Sequence, residues 1–497
     1  MTATRNNYRT ILRSTSTTGL ASLVNIVSGI AKAKILAVTL GPSGVGLFGL
    51  FQSLVQSCTT VASLGLDTAG TREIARCAAQ ERPGDVWLLR RWLLVMTTFL
   101  AMTSAAAVWV ASRWIANVFA GERVSAAQIA WLAPAIALSV AAAAPTAILA
   151  GLREIAALAR VQVLAGLLST VTVAIAALQA PSAALLAAIL TAPLFSLVVA
   201  RFLAGRAMQS LPKPESRSRN DRVGLGMILS GVQVVGASLA ATAGPLVVRS
   251  LIINDLGVDS AGTFQAAWAI GATYLSFVLT AMATDYFPRL TGAISDQKSA
   301  SDIVSQQTEV ALLLCGPILI GMLGIAPWLI EVLYAKSFGT AVVILRWQLL
   351  GDLLKLVSWP LGYVLLSAGE ARKFLFAEVT AMGIYVVGTF LLLPVTGIAA
   401  PGIAYLMLYM LYLPLIRYLA ARHVQRPWSR YVVALAIILT VAAASTLCLS
   451  WVNPVYGLVA SIVSAGSLGL IALKRLRTKL LSASPEEAGG SVDRREG

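Results

Sequence analysis

Apolar stretches of about 20 residues recur along nearly the whole chain, each long enough to cross a hydrocarbon core of about 30 Å as an α-helix. We place fourteen of them, at 14–40, 44–66, 86–112, 127–150, 156–179, 181–205, 223–253, 260–284, 308–333, 341–367, 371–394, 397–420, 429–451 and 454–473. Backbone polar groups must be satisfied inside lipid, so only helices or closed barrels can span it. The short alternating segments of a barrel are not found in this sequence. The stretches are rich in Ala, Gly, Ser and Thr, which let membrane helices approach closely. Charged residues make up 12 % of the chain and mean hydropathy is +0.80, which leaves too little charge to cover a soluble domain. The expected fold class is an all-α polytopic membrane protein with about 14 transmembrane helices.

A net charge of +16 raises the question of nucleic acid, and the placement of the charge answers it. Arg113, Arg123 and Lys336 fall in outside loops, and Lys32, Lys34, Arg249, Arg346 and Lys355 fall within spans. The rest of the 38 Lys and Arg lie in cytoplasmic segments when both termini are cytoplasmic. The excess is therefore a topology signal for a multi-pass membrane protein, with attraction to anionic membrane lipid second and no nucleic-acid partner expected. Arg5, Arg9 and Arg13 precede a run too long for a cleaved leader, so it is taken as an uncleaved first span. Cys58, Cys77, Cys315 and Cys448 are scattered and show neither metal-ligand nor disulfide spacing, so no metal is expected.

The polar, Pro- and Ser-rich stretch 206–222 reads as a cytoplasmic linker between an N-lobe at 1–205 and a C-lobe at 223–420, each of six helices. The lobes resemble each other: Leu40-Gly41-Pro42-Ser43-Gly44-Val45-Gly46-Leu47-Phe48 aligns without a gap on Leu256-Gly257-Val258-Asp259-Ser260-Ala261-Gly262-Thr263-Phe264. Six is even, so the repeat is parallel, with a pseudo-twofold axis along the membrane normal and a central cavity expected at the lobe interface. Two C-terminal helices at 421–475 lie outside the repeat, and a polar tail at 476–497 is expected to be disordered.

Polar residues at helical spacing within spans are costly against lipid and mark a water-lined path. Thr18, Ser22, Asn25, Gly29 and Lys32 share one face of the first span, and Ser238, Thr242, Pro245 and Arg249 share one face of the seventh. Shifted by the repeat, these stripes coincide within one residue, so Lys32 and Arg249 are expected to face each other across the axis. The second span carries Gln52, Gln56, Thr59, Ser63 and Asp67 on one face, and the tenth carries Gln348, Asp352, Lys355, Trp359 and Gly362. A single Ser or Thr is explained by helix–helix hydrogen bonding; four stripes, two of them repeat-related, favour a cavity. Among the charges within spans, Asp352 and Lys355 are three apart and expected to pair. Lys32 and Arg249 then remain as bare cations suited to a phosphate or pyrophosphate, Arg as a planar fork and Lys as a point charge. Lys34 and Arg346 are expected to snorkel toward the outer surface, while Trp359 and Tyr363 are placed to stack on sugar rings or to anchor the interface.

These residues carry a family resemblance. Leu40-Gly41-Pro42-Ser43-Gly44, Gly262-Thr263-Phe264-Gln265 and Asp285-Tyr286-Phe287-Pro288-Arg289-Leu290 contribute to it. So do Arg346-Trp347-Gln348-Leu349-Leu350-Gly351-Asp352-Leu353-Leu354-Lys355, Gly362-Tyr363 and Ala377-Glu378-Val379. Over residues 14–420 the chain resembles the Wzx-type O-antigen and enterobacterial common antigen (lipid-linked polysaccharide) flippases of the multidrug/oligosaccharidyl-lipid/polysaccharide (MOP) exporter superfamily. The resemblance implies two pseudo-symmetric six-helix lobes in a V, and outward flipping of an undecaprenyl-pyrophosphate-linked glycan. It also implies cavity cations at the pyrophosphate, matched here by Lys32 and Arg249.

On that expectation Asn25, Gln52 and Gln56, with Asp352, Lys355 and Trp359, line the cavity. No cofactor is expected; H+ or Na+ coupling stays open, with Asp67, Asp352 and Glu378 as the candidate carboxylates. Polysaccharide polymerase machinery is an open partner. A peptidoglycan precursor (lipid II) flippase and a multidrug antiporter of the same superfamily are the alternatives, the antiporter needing buried acids where this chain has cations. A membrane polymerase or ligase would need sizeable catalytic outside loops, and the longest here is 113–126, so transport rather than catalysis is expected.

Overall fold

The structure is a computed structural model and describes residues 2–80, 82–209, 211–212 and 222–482. Within these, the side chains of 2–20, 122, 222–234, 237, 240 and 479–482 fall outside the description, which removes Thr18 of the first stripe. Most of the expected linker 206–222 and the residues of the expected tail from 483 onward also lie outside the described residues.

Among the described residues there is no strand. The first part of the chain runs through α1 (Thr2–Ala62), α2 (Leu66–Ala79), α3 (Pro83–Ala120), the short α4 (Ala126–Ala130), α5 (Ala133–Gly151), α6 (Ile155–Gln179) and α7 (Pro181–Gln209). Next come α8 (Arg222–Leu256), α9 (Val258–Ala293), α10 (Gln297–Leu333), α11 (Ala341–Ser367), α12 (Ala371–Thr396) and α13 (Ala400–Ala420). The chain closes with α14 (Arg430–Val452) and α15 (Pro454–Ser482). Eleven helical stretches among the described residues are long and apolar enough to cross a membrane. Two of these contain a break, Ala21–Ala62 at Gly41 and Ala371–Ala420 at Gly397, and the expected seventh span lies in α8.

Packing gathers the chain into two compact units. The first holds Met1–Thr273, Ile330–Ile344 and Leu375–Ala404; the second holds Tyr274–Leu329, Leu345–Phe374 and Tyr405–Gly497. In the first unit α6 packs on α7 and α1, and α5 packs on α2, α3 and α7, around buried Leu66, Ile74, Leu93, Ile148, Leu149 and Met208. Side chains of that size contribute about 1.5–3 kcal/mol each when withdrawn from water, although between helices in lipid the gain comes from packing instead. Helix α8 lies against α1, α2 and α3.

The two aligned Leu-Gly motifs meet in this unit. Gly41 at φ 64° breaks α1 into segments 2–40 and 42–62, and Gly257 at φ 97° separates α8 from α9. Both angles lie where a Cβ is penalised, so glycine lets the chain turn tightly at each site. The second segment of α1 then crosses the start of α9 with no room for side chains: a Cβ on Gly46 would strike the Val258 carbonyl oxygen, and one on Gly262 would strike that of Pro42. Pro42 and Val258 are repeat counterparts, as are Gly46 and Gly262, so the contact is reciprocal, as in a twofold interface. Ser43 hydrogen-bonds its own counterpart, Asp259.

In the second unit the two C-terminal helices are seated on α10. A Cβ on Gly316 would meet Leu439 of α14, and one on Gly324 would meet Ser461 of α15, so both helices approach the α10 backbone closely. At the far end of α15, Arg475 Nε donates to the buried Glu309 carboxylate on α10 at 3.2 Å.

Candidate functional site

Arg249 occupies the last third of α8 and is 4 % exposed. A guanidinium so placed must find acceptors for its donors, because an unpaired buried charge is far costlier than an exposed one. Its Nε donates to Gln265 Oε1 on α9 at 3.1 Å, and Nη2 donates to the same oxygen. Nη1 donates to Ser53 Oγ on the second segment of α1 and, at 3.5 Å, to the Pro245 carbonyl. The fork lies over the Phe264 ring, 5.4 Å from its centroid. Phe264 continues through Trp268 to Tyr385 of α12 at centroid spacings of 5.8 and 6.0 Å. Each of these oxygen acceptors is neutral.

Lys32 is half-buried, and its Nζ donates to Ser169 Oγ on α6 at 2.9 Å; that hydroxyl in turn lies 2.9 Å from Thr191 Oγ1 on α7. Lys32 and Arg249 thus belong to one unit but sit in separate hydrogen-bonded clusters, so neither is the bare cation expected. The reason is local: each donor finds a hydroxyl or amide on a neighbouring helix. Asn25, Gln52, Gln56 and Asp67 present exposed side chains, and Glu378 is half-buried on α12. Lys34 reaches the carbonyls of Glu331 and Tyr334 at 3.3 and 2.5 Å, a hydrogen-bonded end rather than free snorkelling.

The second unit holds the acid–base pair. Asp352 is 1 % exposed, and Oδ1 accepts from the Tyr405 hydroxyl of α13 at 2.9 Å. Lys355 Nζ donates to the same hydroxyl at 3.5 Å, so the link between the two charges runs through Tyr405 rather than directly. Gly351 makes this possible, since a Cβ there would meet the Tyr405 ring at 2.7 Å. Arg346 is 7 % exposed and turned inward, with Nε donating to the Leu323 carbonyl at 3.4 Å, which corrects its expected snorkelling. Trp359 and Tyr363 meet edge to face at a centroid spacing of 4.9 Å, and both pack against Tyr286, whose hydroxyl donates to the Pro360 carbonyl at 2.9 Å. Their rings pack together around that hydrogen bond.

A family model described as polysaccharide biosynthesis protein matches residues 11–293, more than half of the chain and all of the Arg249 cluster up to Trp268. The chain belongs to this polysaccharide biosynthesis protein family. Among curated relatives, the family member here is 24 % identical over 411 residues to the lipid III flippase of Escherichia coli strain K12, covering 80 % of this chain and 95 % of that protein. The same figures hold for the lipid III flippase of Shigella flexneri. Among solved structures, the lipid II flippase MurJ in an inward closed conformation is 10 % identical and covers 95 % of this chain and 100 % of that one, with a TM-score of 0.65. An inward-facing multidrug resistance MATE family transporter of the MOP superfamily is 16 % identical over 84 % of this chain and 98 % of that one, at a TM-score of 0.62. These likenesses establish a MOP-type all-helical fold for the family member, a multi-pass membrane protein.

Ser53 and Tyr405 were not singled out by the sequence, and Gln265 was noted only within a motif. Ser53 is adjacent to Gln52 but points about 100° around the helix, into packing instead of toward the exposed stripe. The available signal was the ridge Gly46, Gly49 and Ser53 at i, i+3 and i+7, a small-residue face that admits another helix.

Proposed function

We propose that this protein moves an undecaprenyl-pyrophosphate-linked oligosaccharide from the cytoplasmic to the periplasmic leaflet of a bacterial inner membrane by alternating access, as a transporter and not an enzyme. The observation that carries the reading is Arg249: a buried guanidinium in the membrane that donates to the neutral oxygens of Gln265, Ser53 and Pro245. A phosphoryl oxygen is a stronger acceptor than any of these and matches the fork geometry. The relative named lipid III flippase, spanned over 95 % of its length, supports a lipid-linked glycan as cargo. The parallel repeat and its reciprocal glycine contact support two like bundles moving about one axis.

In this reading Lys32 and Arg249 receive the pyrophosphate, Asn25, Gln52 and Gln56 face the glycan, and the prenyl tail stays in lipid. Both termini are cytoplasmic, so the Gly41 and Gly257 turns lie at the periplasmic ends of their helices. Moving negative charge outward is downhill by about 2.3 kcal/mol per charge per 100 mV in an inside-negative cell. Coupling to H+ or Na+ would engage Asp352, Asp67 or Glu378. The test is a deletion strain carrying wild type or Arg249→Ala. The deletion is expected to accumulate the lipid-linked glycan in the inner leaflet, and Arg249→Ala to leave it there while reaching normal membrane abundance. Normal surface glycan with the variant would refute the assignment.

A further inference from the structure

We propose that Arg249, Ser53 and Gln265 form a cargo-released latch across the repeat, with Ser53 and Gln265 acting as positioning residues; the proposal rests on the flippase reading above. Pro42–Gly46 crosses Val258–Gly262 in a reciprocal contact that excludes any Cβ, with Ser43 bonded to Asp259. One turn further along the same two helices, Gly49 opens a slot that Gln265 fills: a Cβ on Gly49 would lie 2.6 Å from Gln265 Oε1. Gly49 and Gln265 are themselves repeat counterparts. The symmetric crossing is thus replaced at this level by an asymmetric one, a glycine facing an amide.

Into that asymmetry α8 inserts Arg249. Its fork ties Gln265 of α9 to Ser53 of α1, holding the two crossing helices together just beyond the glycine contact. A guanidinium bound by a carboxylate would be hard to exchange; one bound by an amide and a hydroxyl is not, because an anionic acceptor forms charge-assisted bonds roughly twice as strong. The empty protein therefore keeps Arg249 on its neutral partners, which spares it an unpaired buried charge. A phosphorylated headgroup entering the site takes those donors, frees Gln265 and Ser53, and removes the tie between α1 and α9. Because the headgroup binds better where the tie is broken, it shifts the equilibrium toward separated helix ends, and by no more than that difference in affinity.

The test uses full-length protein in nanodiscs, with the native cysteines replaced by alanine and Ser43→Cys/Asp259→Cys as the reporter. The rate of crosslinking by a short bifunctional thiol reagent is measured with and without undecaprenyl pyrophosphate, and binding of that lipid is measured separately by native mass spectrometry. Undecaprenyl pyrophosphate is expected to slow crosslinking about tenfold, the size of losing one hydrogen bond to a charged group, and undecaprenol to leave it unchanged. Gln265→Leu is expected to slow crosslinking without any lipid. Gln265→Glu, which supplies a carboxylate of the same shape, should keep crosslinking fast even with undecaprenyl pyrophosphate present; this isosteric change serves if Gln265→Leu fails to fold. If undecaprenyl pyrophosphate binds and the Gln265 background crosslinks at an unchanged rate, the latch is overturned and the flippase reading stands. If it does not bind at all, both are overturned.

Discussion

The Arg249 cluster and the Asp352 cluster are opposite solutions to the same problem, a charge buried within a membrane helix. Arg249 is surrounded by neutral acceptors, an amide, a hydroxyl and a carbonyl. Asp352 is one hydroxyl away from a cation on its own helix, Lys355, with Tyr405 between them. A charge compensated by a neighbour on the same helix is a closed arrangement, whose removal leaves the partner charge exposed to low dielectric. A charge compensated by dipoles alone still favours an anion. The first arrangement is suited to stability or to titration, and the second to binding a cargo of opposite sign.

The comparison is broken most forcefully at Arg249. Arg249→Gln is expected to reduce glycan export by on the order of 100-fold, and Arg249→Lys to restore little of it, because a point charge cannot reproduce the fork. Export is scored by the ladder of surface glycan, with abundance by immunoblot. In the other cluster, Asp352→Leu is expected to destabilise the purified protein by about 3 kcal/mol, since it removes the carboxylate linked to Lys355 through Tyr405. The double variant Asp352→Leu/Lys355→Met should recover much of that loss, and equal melting of single and double variants would show that the two charges are not coupled. Tyr405→Phe sits between these limits: it leaves Asp352 Oδ1 without its hydroxyl, at a cost of about 1–2 kcal/mol in the same melting assay.

The smallest expected effect lies outside the spans, in the turn after α11. The hydrogen bond from Lys373 Nζ, at 2.7 Å, holds the Glu370 carboxyl below the ordinary glutamate range. A depressed folded-state value means that the contribution is present above the unfolded value and fades as pH falls through the folded one. Glu370→Gln should therefore lower melting slightly at neutral pH, by less than about 1 kcal/mol, and leave it unchanged in acid. A difference that grew on acidification would reverse the sign of this account.

Much of this architecture could be read from the chain. The span lengths follow from run length alone, and the Leu-Gly repeat found at 40–48 and 256–264 marks the place where the two copies touch. What the sequence hid were partners distant along the chain. Ser53 lies 196 residues from Arg249, and Tyr405 lies 53 from Asp352, so no helical spacing links them. Arg346 differs from its expected place for a related reason: it lies close to a span end, yet the carbonyl of Leu323, on a different helix, draws it inward. Trp359 and Tyr363 were legible as aromatic neighbours, but their ring partner Tyr286 comes from α9.

The central claim is that a buried arginine with neutral partners receives the pyrophosphate of a lipid-linked glycan. Its most direct test is a proteoliposome assay following a fluorescent undecaprenyl-pyrophosphate oligosaccharide from one leaflet to the other. Wild-type protein should transfer the lipid, and Arg249→Gln should do so at about one-hundredth of that rate. Equal transfer by the two proteins, or none by wild type, would contradict the account.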